Sequence, residues 1–120
     1  MEGKIEVKVL TLIVLLLAAN SARAIDFVLV NVTGYTIVQV NLTPEGAAGW
    51  QHSVLLTKLS SGGERSIHID DPSRTRIWNL QIVFKGGNKV TWSDPGFGLS
   101  RIHRITLEAK GAKVNAHWEQ

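Results

Sequence analysis

Beyond residue 24, a period-two alternation of apolar and polar side chains recurs, and the helical spacing of three to four is nearly absent. Asp26 to Asn31 is a short, valine-rich run of strand length, and Asn31-Val32-Thr33-Gly34 reads as a turn in which Gly34 can take positive φ. From Tyr35 to Thr43 the alternation places Val38, Val40 and Leu42 on one face and Gln39, Asn41 and Thr43 on the other. Pro44 ends that strand, because proline cannot donate to a ladder. Glu45 to Leu59 predicts a loop, with Trp50 and Val54-Leu55-Leu56 packing back onto the core. Ser60-Ser61-Gly62-Gly63 is a turn. Arg65 to Asp70 alternates again, with Ile67 and Ile69 inward and Ser66, His68 and Asp70 outward, until Asp71-Pro72-Ser73 breaks it.

Trp78, Leu80, Ile82 and Phe84 form the most regular apolar face. Lys85 to Lys89 is a hairpin turn, after which Val90 and Trp92 return on the same face. Matching those faces predicts Phe84 opposite Val90 and Ile82 opposite Trp92, since a slip of one residue would turn both return residues to solvent. Ser93 to Ser100 predicts a loop around Asp94-Pro95-Gly96. The last hairpin turns at Lys110 to Lys113, with Leu107 opposite Ala116, Ile105 opposite Trp118 and Arg104 opposite Glu119. About seven strands with regular turn signals predict an all-β antiparallel sandwich, Ig-like or a similar Greek key. The alternative is a partly closed barrel.

The first 24 residues follow another pattern. Lys4 and Lys8 precede an unbroken apolar run from Val9 to Ala19, and Ala22-Arg23-Ala24 closes it with small residues. Basic start, apolar middle and A-x-A end are the parts of a secretory signal peptide, and the run is roughly half the length of a membrane span. Residues 1–24 are therefore expected to be cleaved before Ile25, leaving one all-β domain over 25–120 and no stable membrane anchor. The expected address is periplasmic or secreted. The 96 residues that remain can bury only a modest core, and the chain has no cysteine to reinforce it. Beyond Ala24, ten basic residues face eight acidic ones, scattered apart from Arg74/Arg76 and Arg101/Arg104. That balance gives no nucleic-acid stripe, and no nucleic-acid partner is expected.

The run Phe27 to Ile37, with its Asn31 and Thr33-Gly34, resembles the opening of a family of small exported bacterial β-sandwich proteins of unknown function. The likeness extends to Pro44–Trp50, the Leu59–Gly62 turn, the Trp78–Trp92 block and Arg104-Ile105-Thr106-Leu107. The resemblance implies fold and export, and supplies no site. Relatives in that family often carry cysteines before the Trp-x-Leu block and before the last Arg-Ile-Thr-Leu strand. This chain has Arg76 or Ile77 and Ser100 there, so the implied bridge is absent.

Candidate chemistry is sparse. His68 and Asp70 share a strand face and could supply two metal ligands, with His103 or His117 as a third, but the cysteine-rich spacing of structural zinc sites is missing. Asp70-Asp71-Pro72-Ser73 lacks the spaced carboxylates of a calcium loop. No Gly-x-Ser-x-Gly elbow occurs. No metal or other cofactor is expected, and an enzyme built on His68, Asp70 and His103 is the second reading, behind a non-catalytic binding domain. A structural envelope-associated protein is the third. Trp78, Trp92 and Trp118 fall on inward faces, whereas Trp50 is in a loop. The expected contact residues are Trp50, Arg101, His103 and Arg104, from the 44–50 and 95–104 loops, for a protein or carbohydrate partner in the envelope or outside the cell. An unpaired outer strand would permit a weak homodimer in place of a monomer. Two sequons, at Asn31 and Asn41, are read as coincidence.

Overall fold

In the computed structural model the described residues are 24–70 and 77–120, so residues 1–23 of the expected leader and the expected Asp71–Ser73 turn lie outside them. The strands in chain order are β1 (Ala24–Val32), β2 (Ile37–Pro44), β3 (His52–Ser53), β4 (Glu64–Asp70), β5 (Trp78–Phe84), β6 (Lys89–Phe97), β7 (Arg104–Lys110) and β8 (Lys113–Glu119). A single 3-10 turn, Leu99–Arg101, precedes β7. The strands make two four-stranded sheets, ordered β4-β1-β7-β8 and β3-β2-β5-β6. Alternation puts Ile25, Phe27, Leu29, Ile67, Ile105 and Leu107 of the first sheet into one buried cluster with Val40, Leu42, Trp78, Leu80 and Ile82 of the second. The protein is therefore the expected all-β sandwich, and no barrel closure occurs among the described residues.

The sheets are antiparallel except where β1 runs parallel to β7, Val28 beside Arg104 through Val32 beside Glu108. The reason is directional. Both strands enter the first sheet from the end of the sandwich at which β6 finishes, so they run the same way.

The final hairpin has the expected register, with Leu107 opposite Ala116, Ile105 opposite Trp118 and Arg104 opposite Glu119. The β5–β6 hairpin differs by two residues from the expected pairing, with Ile82 opposite Val90 and Leu80 opposite Trp92. Its turn is tighter than five residues: Phe84 N donates to Asn88 O at 2.8 Å and Gly87 N to Phe84 O at 2.9 Å. Gly86 and Gly87, at φ 101° and 99°, permit that tightness. A shift of two keeps every side chain on its face, which is why the apolar pattern could not exclude it.

β2 departs from simple alternation. A bulge between Ile37 and Gln39 buries Ile37 and Val40 and leaves Val38 exposed, contrary to the expected Val38–Val40–Leu42 face. The predicted 93–100 loop is mostly strand. Between the pairs Trp78–Phe97 and Leu80–Trp92, Asn79 of β5 faces Ser93 to Gly96 of β6, so β6 bows outward there. Trp78 is wholly buried, but Trp118 remains 52% exposed. It points inward from β8, the outermost strand, and closes the flank edge-on against Phe97 with ring centroids 5.3 Å apart.

Candidate functional site

The strand ladders settle which loops share an end. Pro44 pairs with Trp78, and Trp78 with Phe97, so the loops that follow Pro44 and Phe97 emerge at one end of the second sheet. The loops at that end carry two of the expected contact residues, Trp50 and Arg101. Arg101 is exposed at the end of the 3-10 turn, whose Leu99 is buried and anchors it. Arg101 lines a cleft of about 320 Å³ with Ile77, Gly98 and Ser100. The family resemblance implies cysteines at Arg76 or Ile77 and at Ser100. Of these, Ile77 and Ser100 border the cleft. Trp50 is 38% exposed in its loop and lies outside that lining, so it neither caps the core fully nor joins Arg101 in one concavity.

Arg104 and His103 belong to another neighbourhood. The Arg104 guanidinium lies 3.3 Å from Glu64 Oε2 and 4.0 Å from Glu119 Oε2, on the outer face of the first sheet. His103 Nε2 is also 4.0 Å from Glu119 Oε2, and the residue borders a shallow cleft of about 240 Å³ with Asp26, Val28 and Ser66. Arg104 is thus engaged by carboxylates, and of the four expected contacts Trp50 and Arg101 are the ones presented at the loop end.

His68 sits between two acids on that outer face. Its Nδ1 is 2.6 Å from Asp26 Oδ1 and its Nε2 3.1 Å from Asp70 Oδ1. The hydrogen bond to Asp26, then that to Asp70, then the two negative charges raise the imidazole pKa above its ordinary value. Both ring nitrogens are thus engaged by carboxylates. Among the described residues no three His, Cys, Asp or Glu side chains converge to hold an ion. Ser66 is next to His68 on the same face, opposite Val28, yet both imidazole nitrogens are occupied by carboxylates and neither is left to act as its base.

The opposite end holds what the sequence reading missed. Ile37 pairs with Phe84 and bridges to Leu59, which gathers the 33–36, 54–63 and 85–88 loops there. The β7–β8 turn joins them across a cleft of about 430 Å³, lined on one side by Tyr35, Phe84, Lys85 and Lys89 and on the other by Ala109, Gly111 and Val114. Lys110 and Lys113 stand directly opposite each other at the foot of that turn. Tyr35 is 62% and Leu56 95% exposed. The available signal was lysine on both sides of two hairpin turns, Lys85/Lys89 and Lys110/Lys113. It is invisible as a charge cluster because the two turns are far apart in the chain.

The sequon at Asn31 cannot serve as an acceptor in the folded chain. Asn31 is wholly buried, with Nδ2 donating to Tyr35 O and Leu59 O and Oδ1 accepting from Thr33.

No protein-family model matches the chain, and no curated protein matches it. Among solved structures it is similar to an NMR structure of a protein from Eubacterium rectale, with a TM-score of 0.58 and 18% identity over 82% of this chain and 90% of that one. At that identity the likeness is one of fold alone.

Proposed function

We propose that the chain is exported, is cleaved before Ile25, and acts in the periplasm or outside the cell as a non-catalytic binding domain. Its partner is a protein or a carbohydrate, met through the end that carries Trp50 and Arg101. The observation that supports this reading most is the Pro44–Trp78–Phe97 ladder, which brings the two loops to one end of a rigid scaffold and leaves Arg101 beside an open cleft. Binding sites are commonly built on loops held by such scaffolds. The engagement of both His68 nitrogens by carboxylates disfavours a hydrolase or metal enzyme built on His68, Asp70 and His103. A structural envelope role without a defined ligand is separated by the same experiment.

The test is affinity capture from envelope extract, followed by titration of the captured partner against wild type, Trp50→Ala and Arg101→Ala. Each substitution is expected to weaken binding about 10-fold or more, the loss typical of an anchoring contact. Unchanged affinity in both variants refutes the surface. Amino-terminal sequencing of the cellular product checks the leader, with Ile25 expected first.

A further inference from the structure

We propose that the end of the sandwich opposite Trp50 and Arg101 docks on an anionic phospholipid surface, with Leu56 and Tyr35 entering the interface and the turn lysines holding the headgroups. The inference stands apart from the partner site proposed above, because it uses the other end of the fold.

Charge is the first argument. Lys58, Lys85, Lys89, Lys110 and Lys113 all stand on the loops and turns of this end. Among the described residues no carboxylate lies within ion-pair distance of any of them. Of the acids toward this end, Glu64 lies 3.3 Å from the Arg104 guanidinium and Glu108 lies 3.2 Å from His117 Nε2. Lys110 faces Lys113 across the ladder, and like charges directly opposite one another destabilise a hairpin. An anion between or above them removes that penalty. At the other end, by contrast, stand Asp26, Asp70, Asp94 and Glu119.

Shape and polarity select the kind of anion. Leu56 has almost its whole surface in solvent, on the 54–63 loop. Tyr35 is exposed above Phe84, ring centroids 6.3 Å apart, and both line the cleft that Lys85 and Lys89 border. Tyr35, which shares its cleft with Lys85 and Lys89, and Leu56, two residues from Lys58, suit the boundary between headgroups and acyl chains, where the ring and aliphatic chain leave water while the ammonium groups stay at the phosphates. A nucleic acid would use the lysines and could stack on Tyr35, but it has nothing to gain from Leu56.

The loops are also held in place. Gly34 N donates to Ser61 Oγ at 2.8 Å, and Lys85 N to Thr36 O at 2.9 Å. Asn31 clamps Tyr35 and Leu59 from below. The surface is therefore organised before it meets a bilayer, which limits the ordering cost of docking.

The experiment is vesicle flotation with the chain as its cell produces it, using phosphatidylcholine alone and phosphatidylcholine with about one-third phosphatidylglycerol. The readout is the partition gained from phosphatidylglycerol, so any apolar segment that adheres to both vesicles cancels. Lys85→Gln/Lys89→Gln is expected to lower that gain about 5-fold per lysine, and Lys85→Arg/Lys89→Arg to keep it. Leu56→Ser is expected to lower partition about 5-fold. No gain from phosphatidylglycerol, or a full gain in Lys85→Gln/Lys89→Gln, overturns the proposal. So does tighter binding to mixed-sequence duplex DNA that Leu56→Ser leaves unchanged, which assigns the lysines to nucleic acid. Partner capture through Trp50 is read separately and can fail or succeed without altering this result.

Discussion

Asn31 donates its Nδ2 to the carbonyl of Leu59 at 3.0 Å, fastening β1 to a loop 28 residues further along the chain. The same amide group reaches Tyr35 O at 2.8 Å, while Oδ1 receives the Thr33 hydroxyl at 2.7 Å. All of this happens at a fully buried position on an otherwise apolar inner face. One side chain thereby satisfies several backbone groups that the chain exposes where it leaves the first sheet for the second.

Asn31→Ala is expected to cost about 2–4 kcal/mol, since it strands the buried Leu59 carbonyl and Thr33 N–H. Ser61→Ala, which removes only the exposed acceptor for Gly34 N, is expected to cost less than about 1 kcal/mol. Urea unfolding followed by tryptophan fluorescence measures both. Equal losses contradict the assignment of Asn31 as the clamp.

Gly96 lies where β6 bows past β5. A Cβ there would overlap the carbonyl oxygen of Trp78 and lie 2.6 Å from its carbonyl carbon. Gly96→Ala is expected to cost about 3 kcal/mol or more, because a backbone neighbour cannot turn aside as a side chain can. Gly111, at φ +60° in open space, provides the comparison. Gly111→Ala is expected to cost about 1–2 kcal/mol from the left-handed conformation alone. A reversed order in thermal or urea unfolding would show that β6 does not bow against Trp78.

Trp78 has no exposed surface, and its Nε1 finds no hydrogen-bond partner among the described residues. Removing the whole ring is expected to cost about 3–5 kcal/mol in Trp78→Ala. Trp78→Phe gives up less volume and also removes the unpaired donor, so its expected cost is below about 2 kcal/mol. Denaturation midpoints of the two variants decide whether the indole is held by packing or by its N–H.

The fold was legible in the sequence wherever side-chain parity alone decides. The β7–β8 register followed from matching Ile105 and Leu107 to Trp118 and Ala116, with Arg104–Glu119 as an independent check. Parity is blind to a shift of two, which is why the β5–β6 register lies two residues from the expected one. It is also blind to a bulge, which is why Val38 faces solvent. Trp118 shows a third limit: inward direction is encoded locally, but burial depends on having a neighbouring strand, and β8 has none beyond it.

The candidate sites were less legible. The Trp50 and Arg101 loops were singled out separately, and only the Pro44–Trp78–Phe97 ladder places them at one end. The Arg104–Glu64 contact is not legible in the sequence because Glu64 comes from β4, 40 residues earlier in the chain and separated from β7 by β1. The lysine end is not legible in the sequence because charges from two hairpin turns and a loop meet only after folding.

His68 supplies a prediction about pH. The Asp26 hydrogen bond is the largest cause of its raised pKa, so Asp26→Asn is expected to lower the NMR titration midpoint of His68 more than Asp70→Asn does. The sign for stability follows from the protonated form being favoured in the fold. The contribution is fully present below the ordinary histidine pKa of about 6.5 and is lost as pH rises through the higher folded value. A His68 midpoint at or below the ordinary value would refute the carboxylate bracket.

The division of the sandwich into two ends with different partners is tested most directly by backbone amide NMR during titration with phosphatidylglycerol-containing bicelles. The account predicts broadening or shifts at Tyr35, Leu56, Lys85 to Lys89 and Lys110 to Lys113, with the amides of 45–50 and 98–103 unmoved. Perturbation centred on Trp50 and Arg101, or spread evenly over both ends, would contradict it.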